Sequence, residues 1–150
     1  MSDQAKQLQT AISTIVRIQK IMEPSVQTVH GELKLAPHDI QSMRFIADHP
    51  GTMSGTVADF LGVVPTTMTS IVDRLVKRGF VLRERPENNR RAVSLRLTEE
   101  GARVFGQLET EEMESSRFML QILPEDQRDG FVHAMGQIAD ALTQLQDQAT

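Results

Sequence analysis

The sequence predicts a mostly α-helical protein with one small β-hairpin, an α+β fold. Three observations predict it. Apolar residues recur at spacings of three and four through most of the chain, the period of one helix face. Pro37, Pro65 and Pro124 stand where helices should start, and Gly62 and Gly79 where they should stop. Only residues 81–85 and 93–97 alternate like strands, and the polar stretch PENNRRA joins them.

Residues 5–31 read as helix, because Leu8, Ala11, Ile15, Ile18, Met22, Ser25 and Val29 form a mostly apolar seam. Pro24 lies inside it and removes one backbone donor, so a kink or break is expected there. A second helix, about 37–48, has Ile40, Met43, Ile46 and Ala47 on its apolar face and ends at His49-Pro50-Gly51. Ser54 is the expected cap of a third, about 55–61, with Val57, Ala58 and Leu61 inward. A fourth runs from Pro65 to about Arg78. After the hairpin, Thr98 is the expected N-cap of a long helix whose first turn carries Glu99 and Glu100, favourably placed against its dipole. Phe105, Leu108, Met119 and Ile122 are apolar positions along it. Pro124 starts the last helix, where Phe131, Met135, Ile138, Leu142 and Leu145 keep helical spacing.

Composition excludes several kinds of chemistry. The 150 residues contain no cysteine, which removes disulfides, thiolate catalysis and cysteine-rich zinc sites. There is no Trp or Tyr, so stacking on unpaired bases would rest on six Phe. No window approaches 18 consecutive apolar residues, and MSDQAKQLQT lacks the basic start and apolar run of a signal peptide. A cytoplasmic protein with no membrane partner is therefore expected. His30, His38, His49 and His133 are scattered without the spacing of a zinc helix motif, and no Gly-rich phosphate loop occurs. Glu23, His30, Glu32 and His38 fit surface or core roles better than a ligand set, so no metal site and no catalysis are expected.

Charge is unevenly spread. The formal net charge is −4, yet residues 65–97 hold eight basic residues against three acids, so the rest of the chain is strongly acidic. Screening over about 8 Å at physiological salt lets such a local positive patch attract phosphate despite the acidic body.

Running into this basic segment, SGTVADFLGVVPTTMTSIVDRL, residues 54–75, has helix-turn-helix spacing. Ala58 lets two helices cross closely, Gly62 makes the turn, and Met68, Ile71 and Leu75 hold the second helix on the core. The other face of that helix carries Thr66, Thr67, Thr69, Ser70, Arg74 and Lys77. Such side chains suit base edges and phosphates in a major groove. The strands and their tip extend the unit into a winged helix. Arg90 and Arg91 at the tip would lie near a minor groove, where guanidinium is favoured. Pro86, Asn88 and Asn89 supply the turn.

Residues about 35–101 resemble the MarR family of bacterial transcription regulators. TTMTSIVDRLVKRGFVLRE, residues 66–84, is similar to the family's recognition helix running into its first wing strand. NRRAVSLRLTEEG, residues 89–101, is similar to the family's wing, with Arg91 at the family's arginine and Ala92, Leu97, Thr98 and Gly101 in register. Asn89 stands where the family has an aspartate, so the brace on the wing arginine loses its charge.

The resemblance implies one continuous domain. Residues 35–101 would bind DNA as a winged helix-turn-helix, and residues 1–34 with 102–150 would form a helical dimerisation region. The apolar seams at both chain ends, which a small central unit cannot cover, independently suggest a homodimer. The expected function is that of a sequence-specific transcription regulator of bacterial or archaeal origin, a repressor on a pseudo-palindromic operator of double-stranded DNA. Thr66, Thr67, Thr69, Ser70 and Arg74 are the expected base and phosphate contacts, Lys77 a phosphate contact, and Arg90 and Arg91 the wing contacts. No cofactor is required. The resemblance further implies control by a small aromatic or anionic effector. The alternative is a winged-helix protein-interaction module that no longer binds DNA, which would show an apolar or acidic face on the same helix.

Overall fold

The structure, a computed structural model, describes residues 2–22, 29–85 and 93–149. They form α1 (Ser2–Met22), α2 (Val29–Leu33), α3 (Pro37–Asp48), β1 (Thr52–Met53), α4 (Ser54–Leu61), α5 (Pro65–Lys77), β2 (Val81–Glu84), β3 (Ser94–Leu97), α6 (Glu99–Ile122) and α7 (Glu125–Ala149). The chain divides into two compact units, Met1–Leu35 and Ala36–Thr150.

In the first unit α1 and α2 cover the described parts of the helix expected over 5–31, and residues 23–28 between them lie outside the described residues. Pro24, where the interruption was expected, lies outside the described residues, as does Ser25 of the expected seam. Leu8, Ile12, Ile15, Val16 and Ile18 are exposed along α1.

The second unit has its core where α3, α4, α5, the first turns of α6 and the sheet meet. Met43 and Ile46 of α3, Val57 and Ala58 of α4, and Met68, Ile71, Val72 and Leu75 of α5 are buried. Val81, Leu95, Val104, Phe105 and Leu108 complete it. Each large apolar side chain so buried contributes about 1.5–3 kcal/mol. The exposed ion pairs around this core, such as Arg83–Asp73 and Arg96–Glu84, contribute about 0–1 kcal/mol each. Packing therefore orients α5, and the surface charges do not.

The end of α4 shows how the helix-turn-helix is built. The Val63 N–H donates to the Ala58 carbonyl at 3.0 Å and the Gly62 N–H to the Asp59 carbonyl at 3.1 Å. Gly62 has φ of 64°, a conformation that costs a side-chain-bearing residue free energy. The end of α5 repeats the pattern: Phe80 N–H to the Leu75 carbonyl at 3.0 Å and Gly79 N–H to the Val76 carbonyl at 2.9 Å. The chain leaves α5 with Phe80 buried and runs directly into β2.

Two local details correct the sequence reading. A third strand, β1, pairs antiparallel with β3, with Thr52 opposite Leu95, so the sheet order is β1-β3-β2. Because Met53 still belongs to that strand, it takes the extended N-cap conformation of α4. Ser54 is the first helical residue and caps nothing. Thr98, in contrast, caps α6 as expected, its hydroxyl oxygen accepting from the Gly101 N–H at 2.9 Å.

Beyond Leu108 the character of the chain changes. Met113, Phe118, Met119 and Ile122 on α6 are exposed, and so are Phe131, Met135, Ile138, Leu142 and Leu145 on α7. No single helix among the described residues is long and apolar enough to cross a membrane.

Candidate nucleic-acid interface

The apolar stripe of α5 fixes what its opposite face presents. With Met68, Ile71, Val72 and Leu75 turned into the core, Thr66, Thr67, Thr69, Ser70, Asp73, Arg74 and Lys77 are left exposed. Six of these seven are the α5 residues singled out in the sequence, and the fold brings them onto one accessible surface.

Their hydroxyls are not equivalent. Thr69 Oγ1 donates to the Pro65 carbonyl at 2.9 Å, and Ser70 Oγ donates to the Thr66 carbonyl at 3.2 Å. Each proton is thereby used within the helix, and the oxygen faces outward as an acceptor. Thr66 and Thr67 make no such bond among the described residues, so their hydroxyls are free both to donate and to accept. They sit in the first turn, whose leading residue, Pro65, has no N–H.

The cations also differ. Arg74 is 45% exposed, but its Nε lies 3.1 Å from both carboxylate oxygens of Asp39, and its Nη2 also bonds Asp39. That hydrogen bonding raises the Arg74 pKa above its ordinary value. Burial opposes the shift, and the Asp39 charge adds to it. Asp39 is 1% exposed and also accepts from the Ala36 N–H at 3.1 Å, closing the first turn of α3. Two of the three guanidinium nitrogens of Arg74 are thus committed, and Nη1 is left for an outside partner.

Arg83 on β2 pairs with Asp73, and Arg96 on β3 pairs with Glu84 at 2.7 Å. Arg78 lies over the Phe80 ring, 5.1 Å from its centre. Lys77 and Arg85 are exposed and enter no ion pair among the described residues. Arg90 and Arg91 lie outside the described residues, as do Pro86, Asn88 and Asn89. The root of the arm that would carry them stands beside α5, since β2 follows α5 through three residues and β3 pairs with β2 from Leu97 opposite Val81 to Ser94 opposite Glu84.

Sequence reading missed Asp39 altogether. It lies 35 residues from Arg74, and no periodicity links them. The one local signal was a carboxylate two residues after a helix-starting proline, which reads as an N-terminal charge and says nothing of a distant partner.

Pro37, His38 and Gln41 of α3, Phe60 and Leu61 of α4, and Gln146 of α7 line an open cleft of about 290 Å³. Gln146 Nε2 donates to the Phe60 carbonyl at 2.8 Å beside it.

Residues 38–93 match the sequence profile of the MarR family. The chain is 24% identical over 130 residues to the HTH-type transcriptional regulator PecS of Dickeya dadantii, covering 85% of this chain and 78% of PecS. Among solved structures, a MarR family protein from Bacillus stearothermophilus superposes with a TM-score of 0.77 at 17% identity, over 95% of this chain and 98% of that one. Streptococcus pneumoniae FabT, solved in complex with DNA, superposes with a TM-score of 0.74 at 17% identity over 99% of both chains.

Proposed function

We propose that the chain is a member of the MarR family, whose profile residues 38–93 match, and that it is a homodimeric, sequence-specific regulator of transcription that represses from a pseudo-palindromic operator and has no catalytic role. The observation that carries this reading is the exposed face of α5. Four hydroxyls, Lys77 and the free end of Arg74 project from one side of a helix whose other side is locked in the core. Hydroxyls and cations are the groups that meet phosphates and base edges, and the N-terminal half of such a helix is the part that enters the major groove. The acid on this face, Asp73, is neutralised by Arg83. An interaction module without DNA would present apolar or acidic side chains there.

Thr66 and Thr67, with free hydroxyls at the leading turn, contact bases. Thr69 and Ser70 offer acceptors to base amino groups, and Lys77 and Arg74 meet phosphate. Arg90 and Arg91 reach the flanking minor groove from the wing tip. The two-fold axis of the dimer sets the half-sites about one helical turn, 34–36 Å, apart. A small aromatic or anionic effector regulates binding, and the cleft beside Gln146 is its candidate seat. The protein acts in the cytoplasm.

The test is selection of bound duplexes from a random pool, followed by titration of the enriched sequence. Enrichment of a two-fold symmetric site is expected. Arg91→Ala should weaken binding to that site at least tenfold while leaving the melting temperature unchanged. A folded protein that enriches no sequence, even at low salt, would overturn the reading.

A further inference from the structure

Val64 stands at the entrance of α5, immediately before Pro65. Its backbone is extended, with φ −69° and ψ 152°, and its side chain makes no capping bond. A Ser, Thr, Asn or Asp there would satisfy one of the helix's unpaired N–H groups, and valine does not. Nor does Val64 contribute to the core, because it is 62% exposed. Among the described residues of 36–110, the other exposed large apolar side chains are Met53 and Phe60, and Phe60 packs on the Phe45 ring with centroids 4.7 Å apart. Val64 therefore gives up cap stabilisation without gaining burial, at the point of the helix that leads into DNA.

Its neighbours narrow what it meets. Thr66 and Thr67 follow within the first turn with unbonded hydroxyls. An isopropyl group has no donor or acceptor for a phosphate or for the polar edge of a base. In the major groove the one apolar group that a base pair displays is the thymine C5-methyl. We propose that Val64 is a specificity-determining residue that packs on a thymine methyl in each half-site, beside the bases read by Thr66 and Thr67. This rests on the DNA-binding reading above and extends it to a base identity.

Deoxyuridine tests this directly, because it removes only the methyl and keeps the pairing edge. Each thymine of the selected duplex is replaced in turn, symmetrically in both half-sites. Wild-type affinity should fall at one position by about fourfold per half-site, the worth of one buried methyl. Val64→Ala should bind the thymine duplex more weakly and show no response to uracil at that position. Val64→Ser adds a helix cap, so it should melt no lower than wild type. It should still lose the uracil response, which separates contact from folding. A wild-type protein indifferent to uracil everywhere, or variants that keep the wild-type uracil profile, would overturn the assignment while leaving DNA binding intact. Failure of the wild type to enrich any duplex would overturn both.

Discussion

A β-carbon on Gly101 would lie 1.9 Å from the carbonyl oxygen of Phe80, a separation no real pair of atoms adopts. The cause is a junction of three hydrogen bonds. Thr98 N–H donates to the Phe80 carbonyl at 3.0 Å, the Thr98 hydroxyl donates to the Gly79 carbonyl at 2.5 Å, and the same oxygen accepts from Gly101 N–H. Gly101→Ala must push α6 away from the end of α5. It should destabilise the protein by about 1–3 kcal/mol, the usual cost of forcing a methyl into a filled site, seen as a lower urea midpoint at unchanged slope. Thr98 was legible as a cap, because a hydroxyl before two glutamates is a local signal. The need for glycine three residues later was visible only as a motif, since Phe80 is 21 residues away. Asp39 shows the same limit. A buried carboxylate that binds both a helix start and an arginine on another helix leaves no periodic trace, so Arg74 looked wholly available in the sequence when most of its fork is already held.

At the scale of elements, reading was most accurate where one face is buried. α3 and α5 start at the prolines expected of them, and their apolar stripes are the core. β1 was missed because two residues are too few to show alternation, and its pairing partner is more than 40 residues away. That short strand in turn moved the start of α4. The charge of the recognition segment needed the structure most. Eight basic residues against three acids between 65 and 97 suggested a local positive patch, within which Arg74, Arg83 and Arg96 are each paired with a carboxylate. Lys77 carries no such partner among the described residues, so contact with phosphate, as proposed, would displace counterions without breaking an ion pair inside the protein. Lys77→Ala should reduce the slope of log affinity against log salt by about one per subunit, two for the dimer, while preserving the ranking of operator variants. Affinity titrated from 50 to 200 mM salt measures this, and an unchanged slope would remove Lys77 from the interface.

For the whole molecule, the decisive fact is the amount of apolar surface left uncovered. Phe131, Met135, Ile138, Leu142 and Leu145 repeat at alternating spacings of four and three, the seam that a partner helix fills. Soluble monomers rarely expose so long a contiguous stripe. The seam was plain in the sequence. That a second copy covers it is inferred from the small size of the central unit, because periodicity says which face is buried and never by which chain. If a second copy covers it, Leu142→Glu should place a charge at the contact on both sides. Sedimentation equilibrium should then report monomers at concentrations where wild type is dimeric, and operator affinity should fall at least tenfold through loss of the second half-site.

The knot of hydrogen bonds at Thr98 gives α6 a mechanical part to play. Its 24 residues make a rod about 36 Å long. One end is fastened to the floor of the wing with no slack for a methyl group. A swing of about 5° along such a rod shifts one end by about 3 Å against the other. If that fastening holds, the winged head would turn with the rod, and a small lean at the distal end of α6 would displace α5.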